Sequence, residues 1–432
     1  MNKLPDELLA LIAKHASEYP SPNWDPFHDS VAAGGDDFYS ERKVTAFTRW
    51  SLCLINRKWH AIAKPYLYRD IRIRHCYWLP LPARLSSLLT ASDRNPKLLV
   101  GTHTLDVRDL PSAGIHLSKT AAVRLCHLLS QVTLKHFATN FYPGYVPWLS
   151  LLAHTSARTL TYLDIQFNPR RVPIDSVETI NSFVNLVYLR ITDRLDDDTP
   201  AEPRSPASLD ELPALALPKL EVLDIISGLH WKPIHPGGAI SFSLASRAHL
   251  PSLRKLRLHG DPNRSRTDIR SIIGQHGPRL QELFVHAPYS DDDLDDILLI
   301  APELTELTCI VPEGNYMRPH ASKDAIVLQH PKLQRLTVTG GRKGLLAETY
   351  QCMDTGKFLE LQYIKLDGIS WDSEDIEVAR SGKETCSIEE DLDVAIKLAA
   401  EGIPLLDQRG KPFGGLVATR RRWMDRASRV LQ

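Results

Sequence analysis

The sequence predicts an α/β protein of the repeat-solenoid type, preceded by a small all-helical domain. A seven-residue strand motif, with apolar residues at its first, fourth and sixth positions, recurs through most of the chain. Successive motifs begin about 29 residues apart, a spacing that suits repeats made of one strand and one helix. Proline also stands two residues before the first motif position in five copies, at Pro218, Pro251, Pro278, Pro302 and Pro331.

The motif predicts a short strand with one buried face. In Leu253–His259 the last four residues alternate apolar and polar, which is the period of a β-strand. We interpret Leu129/Val132/Leu134 as an earlier copy and Leu105/Val107 as a degenerate first copy. The eight stronger copies are Leu160/Leu163/Ile165, Leu186/Leu189/Ile191, Leu220/Leu223/Ile225, Leu253/Leu256/Leu258, Leu280/Leu283/Val285, Leu304/Leu307/Cys309, Leu333/Leu336/Val338 and Leu361/Ile364/Leu366.

The segments between motifs predict one helix for each strand. Proline lacks an N–H and disfavours helical geometry in the residue before it, so the repeated proline ends each helix and starts the next strand. Parallel strands stack about 4.8 Å apart and helices about 8–10 Å apart. We therefore expect a curved solenoid with parallel strands on the concave face and helices on the convex face. The motif ends after Leu366.

The first 75 residues predict a separate helical domain. One helix is expected over residues 3–16 and a second over residues 44–62, with a break near Asn56. Residues 17–43 are rich in Pro, Gly and Asp and predict an insertion between the two helices. Apolar residues recur at helical spacing in both segments: Leu4, Leu8, Leu9 and Ile12 in the first, and Leu52, Ile55, Trp59 and Ile62 in the second.

Two half-motifs in this segment resemble an F-box. The run Leu4-Pro5-Asp6-Glu7-Leu8-Leu9 matches the opening of that family, and Leu52-x-x-Ile55-x-x-x-Trp59 matches its second helix. The insertion of about 27 residues between them departs from the family pattern. With leucine-rich repeats downstream, the chain resembles the divergent F-box/leucine-rich-repeat proteins of fungi. The expected domains are residues 1–75 (F-box-like), 76–371 (leucine-rich-repeat solenoid) and 372–432 (C-terminal helical cap and tail).

This resemblance implies a substrate-recognition subunit of an SCF-type (cullin-RING) ubiquitin ligase, which has no catalytic residue of its own. Its F-box would bind a Skp-type adaptor and through it a cullin, and its repeats would bind a protein substrate. The alternative is a leucine-rich-repeat interaction scaffold without a ubiquitin role, whose N-terminal helices only cap the solenoid. The resemblance assigns the adaptor surface to Leu4, Pro5, Leu8, Leu9, Ile12, Leu52, Ile55 and Trp59.

Strand alternation assigns the third, fifth and seventh motif positions to the concave surface. Tyr and Arg recur there, and both are frequent in the energetic centres of protein interfaces. These positions therefore predict a substrate-binding face. Its candidate residues are Tyr162, Asp164, Tyr188, Arg190, Asp224, Lys255, Arg257, His259, Glu282, Phe284, His286, Arg335, Tyr363 and Lys365.

Composition narrows the functional classes. Lys plus Arg equals Asp plus Glu at 52 each, which argues against bulk binding to nucleic acid or to a membrane surface. The six cysteines are scattered, as in proteins of a reducing compartment, and neither a secretory signal nor a membrane-spanning run is evident. No catalytic, cofactor-binding or metal-ligating motif was found. We therefore expect a cytoplasmic or nuclear, non-enzymatic protein without a cofactor or metal.

Overall fold

The computed structural model divides the chain into two compact units, Met1–Ser252 and Leu253–Gln432. The residues that it describes are 4–17, 48, 50–73, 81–95, 97–107, 119–139, 147–167, 174–193, 212–227, 240–260, 262–286, 297–310, 330–339, 358–367, 398, 400, 402–407 and 410–412.

In the first unit, an N-terminal helical pair is followed by strands that mostly alternate with helices. Residues 50 to 55 are also helical. The helices are α1 (Asp6–Ser17), α2 (Arg57–Leu67), α3 (Leu81–Arg94), α4 (Lys119–Gln131), α5 (Trp148–Ser156), α6 (Ile174–Asn181) and α7 (Ile240–Ala245). The strands are β1 (Asp70–Arg72), β2 (Thr104–Val107), β3 (His136–Thr139), β4 (Tyr162–Phe167), β5 (Tyr188–Asp193) and β6 (Val222–Ser227).

The second unit contains strands of two to five residues. Its described helices are α8 (Pro262–His276), which a 3-10 turn at Gly277–Arg279 extends, and a helical segment at residues 297 to 300. Its strands are β7 (Lys255–His259), β8 (Glu282–His286), β9 (Glu306–Ile310), β10 (Arg335–Thr339), β11 (Tyr363–Asp367) and β12 (Leu405–Leu406).

Within each unit, every strand pairs in parallel with the strand that follows it in the chain. The pairing joins equal motif positions: Lys255 lies opposite Glu282, and Glu282 lies opposite Glu306. The predicted α/β class with parallel strands is therefore confirmed. All eight stronger motif copies form a strand that begins at their third position.

The fourth and sixth motif positions form the core, as predicted. Leu163, Ile165, Leu256 and Leu258 have no solvent exposure. The residue at the first position lies next to them in the core. In several copies its N–H donates a hydrogen bond to the carbonyl three residues earlier and so closes a short turn, as from Leu280 to Gly277. Proline occupies this turn, where it needs no N–H for the ladder. Pro251, Pro278 and Pro302 each lie between a described helical segment and the strand that follows it.

Two sequence expectations about the ends of the strand series are wrong. Leu129 belongs to helix α4, and pairing of His136 with Tyr162 puts Leu134 in the first motif position, with Phe137 in the fourth. The predicted motif joined a leucine of α4 to a leucine that lies just before β3. At the other end, β12 adds a strand beyond Leu366 by pairing with β11. The predicted insertion at residues 17–43 and most of the C-terminal cap lie outside the described residues.

The helical predictions for the N-terminal segment are confirmed where the structure describes it. Helix α1 matches the expected first helix. The expected break near Asn56 is a helix start, because the Asn56 side chain accepts a hydrogen bond of 2.9 Å from the Trp59 N–H. Among the described residues, no helix has the length and apolar character needed to cross a membrane.

Two neighbouring glycines offer a test of how tightly the second unit is packed. A Cβ on Gly277 would lie 2.8 Å from Ile300 Cγ2 and 2.9 Å from the Ile300 carbonyl oxygen, whereas a Cβ on Gly274 would meet nothing within 4 Å. We expect Gly277→Ala to lower the free energy of unfolding by about 1–3 kcal/mol. Gly274→Ala, on the exposed side of α8, should raise it by about 0.5–1 kcal/mol. Urea denaturation of both variants measures the difference, and equal effects would contradict the packing described.

Candidate functional site

The N-terminal helical pair has a small core of its own. Leu9 and Ala13 of α1 pack against Cys53, Trp59 and Ala63. Lys58 ties the two helices at the surface, because its ammonium lies 2.5 Å from Asp6 Oδ1 and 3.3 Å from the Leu4 carbonyl oxygen. Burial in this core raises the pKa of the Cys53 thiol, which the charge of Lys64 partly offsets. The neutral thiol therefore acts as an apolar core residue.

Large apolar side chains remain exposed around this core. In α1 they form a stripe beside the buried Leu9 and Ala13, and in the second segment they lie on the exposed side of the helical residues 50 to 55. Scattered exposed apolar residues are normal in soluble proteins, but seven within one small helical unit are not. We call this set the apolar helical surface: Leu4, Leu8, Leu11, Ile12, Trp50, Leu54 and Ile55.

The residues that the sequence assigned to adaptor binding divide between this surface and the core. Leu4, Pro5, Leu8, Ile12 and Ile55 are exposed. Leu9 and Trp59 are buried in the core, and Leu52 packs partly buried against it. Leu11, Trp50 and Leu54 are exposed apolar residues that the family motif did not include. Their exposure depends on how the two helices pack against each other, and helical spacing in the sequence does not determine that packing.

A second candidate surface is the face of the parallel strands that carries the third and fifth motif positions, which we call the odd-position face. In the first unit its centre is aromatic. The rings of Tyr162 and Tyr188 stack with their centroids 4.5 Å apart and their planes 7° apart, and His136 lies beside Tyr162 at 5.7 Å. In-register pairing of β3, β4 and β5 produces this row, because all three residues occupy the third motif position.

Charged groups lie in the next row of the same face. Arg190 donates from Nε to Asp224 Oδ2 at 2.7 Å, its Nη2 lies 2.7 Å from the same oxygen, and its Nη1 lies 3.5 Å from Asp164 Oδ2. The Tyr188 hydroxyl also donates to Asp224 Oδ2, at 3.0 Å. Burial by itself would lower the pKa of Arg190, but Asp224, Tyr188, Tyr162 and Asp164 raise it well above its ordinary value.

The prediction that both positions are exposed is wrong for most of the fifth position and part of the third. Side chains of adjacent parallel strands lie about 4.8 Å apart, so each covers its in-register neighbours. Arg190 and Tyr162 keep partial exposure, as do Lys255, His259, Glu282, Arg335, Tyr363 and Lys365. The residues that are buried instead are Asp164, Tyr188, Asp224, Arg257 and Phe284.

In the second unit the odd-position face is built from cross-strand pairs. Lys255 Nζ lies 3.0 Å from Glu282 Oε1, and Arg335 Nη2 lies 2.5 Å from Glu306 Oε2. The Arg257 guanidinium lies over the Phe284 ring, 4.8 Å from its centroid. His286 ends β8, and His259 ends β7. Among the described residues, no three His, Cys, Asp or Glu side chains group as metal ligands would.

Sequence reasoning missed a buried carboxylate at the end of β5. Asp193 Oδ2 accepts hydrogen bonds from the Ser241 N–H at 3.2 Å and from its hydroxyl at 2.5 Å, and so fixes the start of α7. Burial raises the pKa of Asp193 to about 6, although hydrogen bonds from Ser241 and Ser227 lower it. The sequence signal for Asp193 is an aspartate at the end of a strand with alternating apolar residues. A buried acidic residue there needs a partner, because acidic residues are rarely buried without one.

No protein-family model matches the sequence, and no curated protein is similar enough to it to be matched.

The Arg190 cluster predicts a large stability effect. Replacing Arg190 with Met should lower the free energy of unfolding by about 3–5 kcal/mol, because it leaves Asp224 buried without its compensating cation. Adding Asp224→Asn should recover part of that loss, since the buried charge is then removed as well. Urea denaturation of wild type, single and double variants measures both effects. A loss below about 1 kcal/mol for the single variant would contradict a structural role for this ion pair.

Asp193 predicts a pH-dependent stability. Its folded-state pKa of about 6 exceeds the ordinary value of 3.8, so the folded chain holds the proton more tightly than the unfolded chain. This group therefore lowers the free energy of unfolding as pH rises from about 4 to about 6, by about 3 kcal/mol. Asp193→Asn should remove this slope. Chemical denaturation of both proteins at pH 4, 5, 6 and 7 tests it, and parallel curves would rule out the raised pKa.

Proposed function

We propose that this chain is the substrate-recognition subunit of an SCF-type ubiquitin ligase. In this proposal the N-terminal helical pair is a divergent F-box that binds a Skp-type adaptor, and through it a cullin. The strands and helices that follow are leucine-rich repeats, and their odd-position face holds a protein substrate. Other subunits carry out ubiquitin transfer in the cytoplasm or nucleus, and this chain contributes no catalytic residue or cofactor.

The apolar helical surface is the observation that carries the proposal. A helical pair could cap a repeat array by burying its apolar residues and presenting polar ones to solvent. Here the buried core is Leu9, Ala13, Cys53, Trp59 and Ala63, and seven large apolar residues stay exposed around it. Exposed apolar area of this kind marks a protein-binding site. The match to the F-box half-motifs names the class of partner.

The placement of the motif residues supports the same reading. The half-motifs contain residues that form the core of the helical pair and residues that stay exposed to a partner. Leu9 and Trp59 hold the two helices together, while Leu8, Ile12 and Ile55 remain available to a partner. A partner that covers these side chains gains roughly 25 cal/mol for each Å² of apolar surface removed from water.

Two exposed residues of α1 test the proposal without disturbing the core. Leu8 and Ile12 are each nearly half exposed, at 46% and 45%. Leu8→Asp combined with Ile12→Asp should weaken binding to a purified Skp-type adaptor by at least about a hundredfold, because the interface would have to bury two carboxylates. Isothermal titration calorimetry measures the affinity, and circular dichroism checks that the helices persist.

The matched control is Leu299→Asp, an exposed apolar residue of the second unit at 82% exposure. It replaces one exposed apolar side chain with a carboxylate outside the apolar helical surface and should leave adaptor affinity unchanged. Wild-type protein that does not bind the adaptor would refute the F-box assignment. The chain would then fit the leucine-rich-repeat scaffold without a ubiquitin role.

A further inference from the structure

The odd-position face of the second unit has an excess of basic residues. On β7 to β11 its third and fifth positions include four basic side chains and two acidic ones. Register places them in two adjacent rows across five consecutive strands. The third-position row is Lys255, Glu282, Glu306, Arg335 and Tyr363, and the fifth-position row is Arg257, Phe284, Thr308, Thr337 and Lys365.

In two ion pairs of this face, the basic partner is the more exposed one. The side chain of Lys255 is 25% exposed and that of Glu282 is 13% exposed. Arg335 is 35% exposed and its partner Glu306 only 11%. Longer side chains carry their charge outward while their stems cover the sheet. The carboxylates therefore pair with the charged ends of Lys255 and Arg335 from the less exposed side, and the more exposed groups of these pairs are the ammonium and the guanidinium.

Strand β11 adds a further basic residue to the face. Lys365 lies in the fifth-position row and is partly exposed. Tyr363 stands two residues earlier on the same strand and the same side, and is partly exposed as well. A lysine beside a tyrosine offers a charge and an amphipathic ring to the same ligand.

The corresponding face of the first unit has the opposite balance. Its fifth-position row contains three carboxylates, Asp106, Asp164 and Asp224, against two basic residues, Arg72 and Arg190. Arg190 is held by two of those carboxylates and is 13% exposed. The surplus of outward basic groups is therefore a property of the second unit.

We propose that this face binds an extended, carboxylate-rich segment of the protein substrate. Charge complementarity selects the ligand, because Lys255, Arg335 and Lys365 all present their charge outward. The inference rests on the proposed function, in which the odd-position face holds the substrate. Binding of such a segment can nevertheless be measured without the adaptor.

Strand spacing sets the spacing of the acidic residues in the ligand. Lys255 and Arg335 lie three strands apart, which is about 14 Å, and Lys255 and Lys365 lie four strands apart, about 19 Å. An extended chain advances about 3.3 Å per residue, so these distances correspond to about four and six residues. Both steps are even and place all three acidic side chains on the same side of the peptide. A segment that crosses the strands with Asp or Glu at i, i+4 and i+6 therefore fits the face.

A labelled peptide tests the inference on the full-length protein. The probe is a fluorescein-labelled Ser/Gly peptide with Glu at i, i+4 and i+6, and fluorescence anisotropy measures its affinity. Lys365→Glu should weaken binding on the order of tenfold, because it replaces an attraction with a repulsion. Moving the same three Glu residues to i, i+3 and i+5 should weaken binding about fivefold, and added salt should weaken it further.

The matched control is Lys332→Glu, which makes the same charge change in the turn before β10, outside the face. Lys332 pairs there with the exposed Glu303, and its replacement should leave peptide affinity unchanged. Lys365→Gln, with an expected loss of about fivefold, replaces Lys365→Glu if thermal melting shows that the latter does not fold. Equal binding of a peptide with Lys in place of Glu, or binding only when phosphoserine replaces Glu, would overturn the inference.

The Leu8→Asp/Ile12→Asp variant separates this inference from the proposed function. It should bind the acidic peptide normally while losing the adaptor. A wild-type protein that binds the adaptor and ignores the peptide keeps the ubiquitin-ligase assignment and refutes the acidic ligand. A protein that binds the peptide but not the adaptor supports the acidic ligand and refutes the ubiquitin-ligase assignment.

Discussion

In-register parallel pairing is the constraint on which the rest of the structure depends. Because each strand joins its neighbour at equal motif positions, every motif position becomes a row of like-placed side chains about 4.8 Å apart. A single leucine at the fourth position would bury little on its own. Repeated as Leu163, Leu189 and Leu223 on adjacent strands, it forms a continuous apolar row without solvent exposure. The same spacing acts on the opposite face, where the residues are polar.

Close spacing turns polar residues of the odd-position face into partners for one another. Asp224 has no solvent exposure, and it is tolerated because Arg190 and Tyr188 both donate to it. Tyr162 and Tyr188 stack for the same geometric reason. Much of this face therefore contributes to the stability of the sheet before any ligand arrives. What remains for recognition is the outer part of the longest side chains, such as Lys255 and Arg335.

The fold could be predicted largely from the sequence because both of its determinants are local patterns. Alternation identified the strands, and proline at a fixed place before the motif identified the turns. The errors arose where local pattern is ambiguous. Leu129 of helix α4 and Leu134, which lies just before β3, have the spacing of the first and sixth motif positions. The two-residue strand β12 is too short to show alternation. Burial of Asp164 and Arg257 was missed because alternation gives the face of a side chain and not how closely its neighbours cover it.

The helical pair differs from the sheet in what its exposed residues imply. On the odd-position face, Lys255 and Arg335 each contact a carboxylate of a neighbouring strand, so their placement has a structural role apart from any ligand. Leu8, Ile12 and Leu54 remain exposed, whereas Leu9 and Trp59 are buried in the core of the pair. Keeping such residues exposed favours self-association and is not needed for a two-helix core. We propose that an apolar partner surface covers them. The two half-motifs that resemble an F-box include core residues, such as Leu9 and Trp59, and exposed residues, such as Leu8 and Ile12, and the proposal of an adaptor rests on the exposed ones.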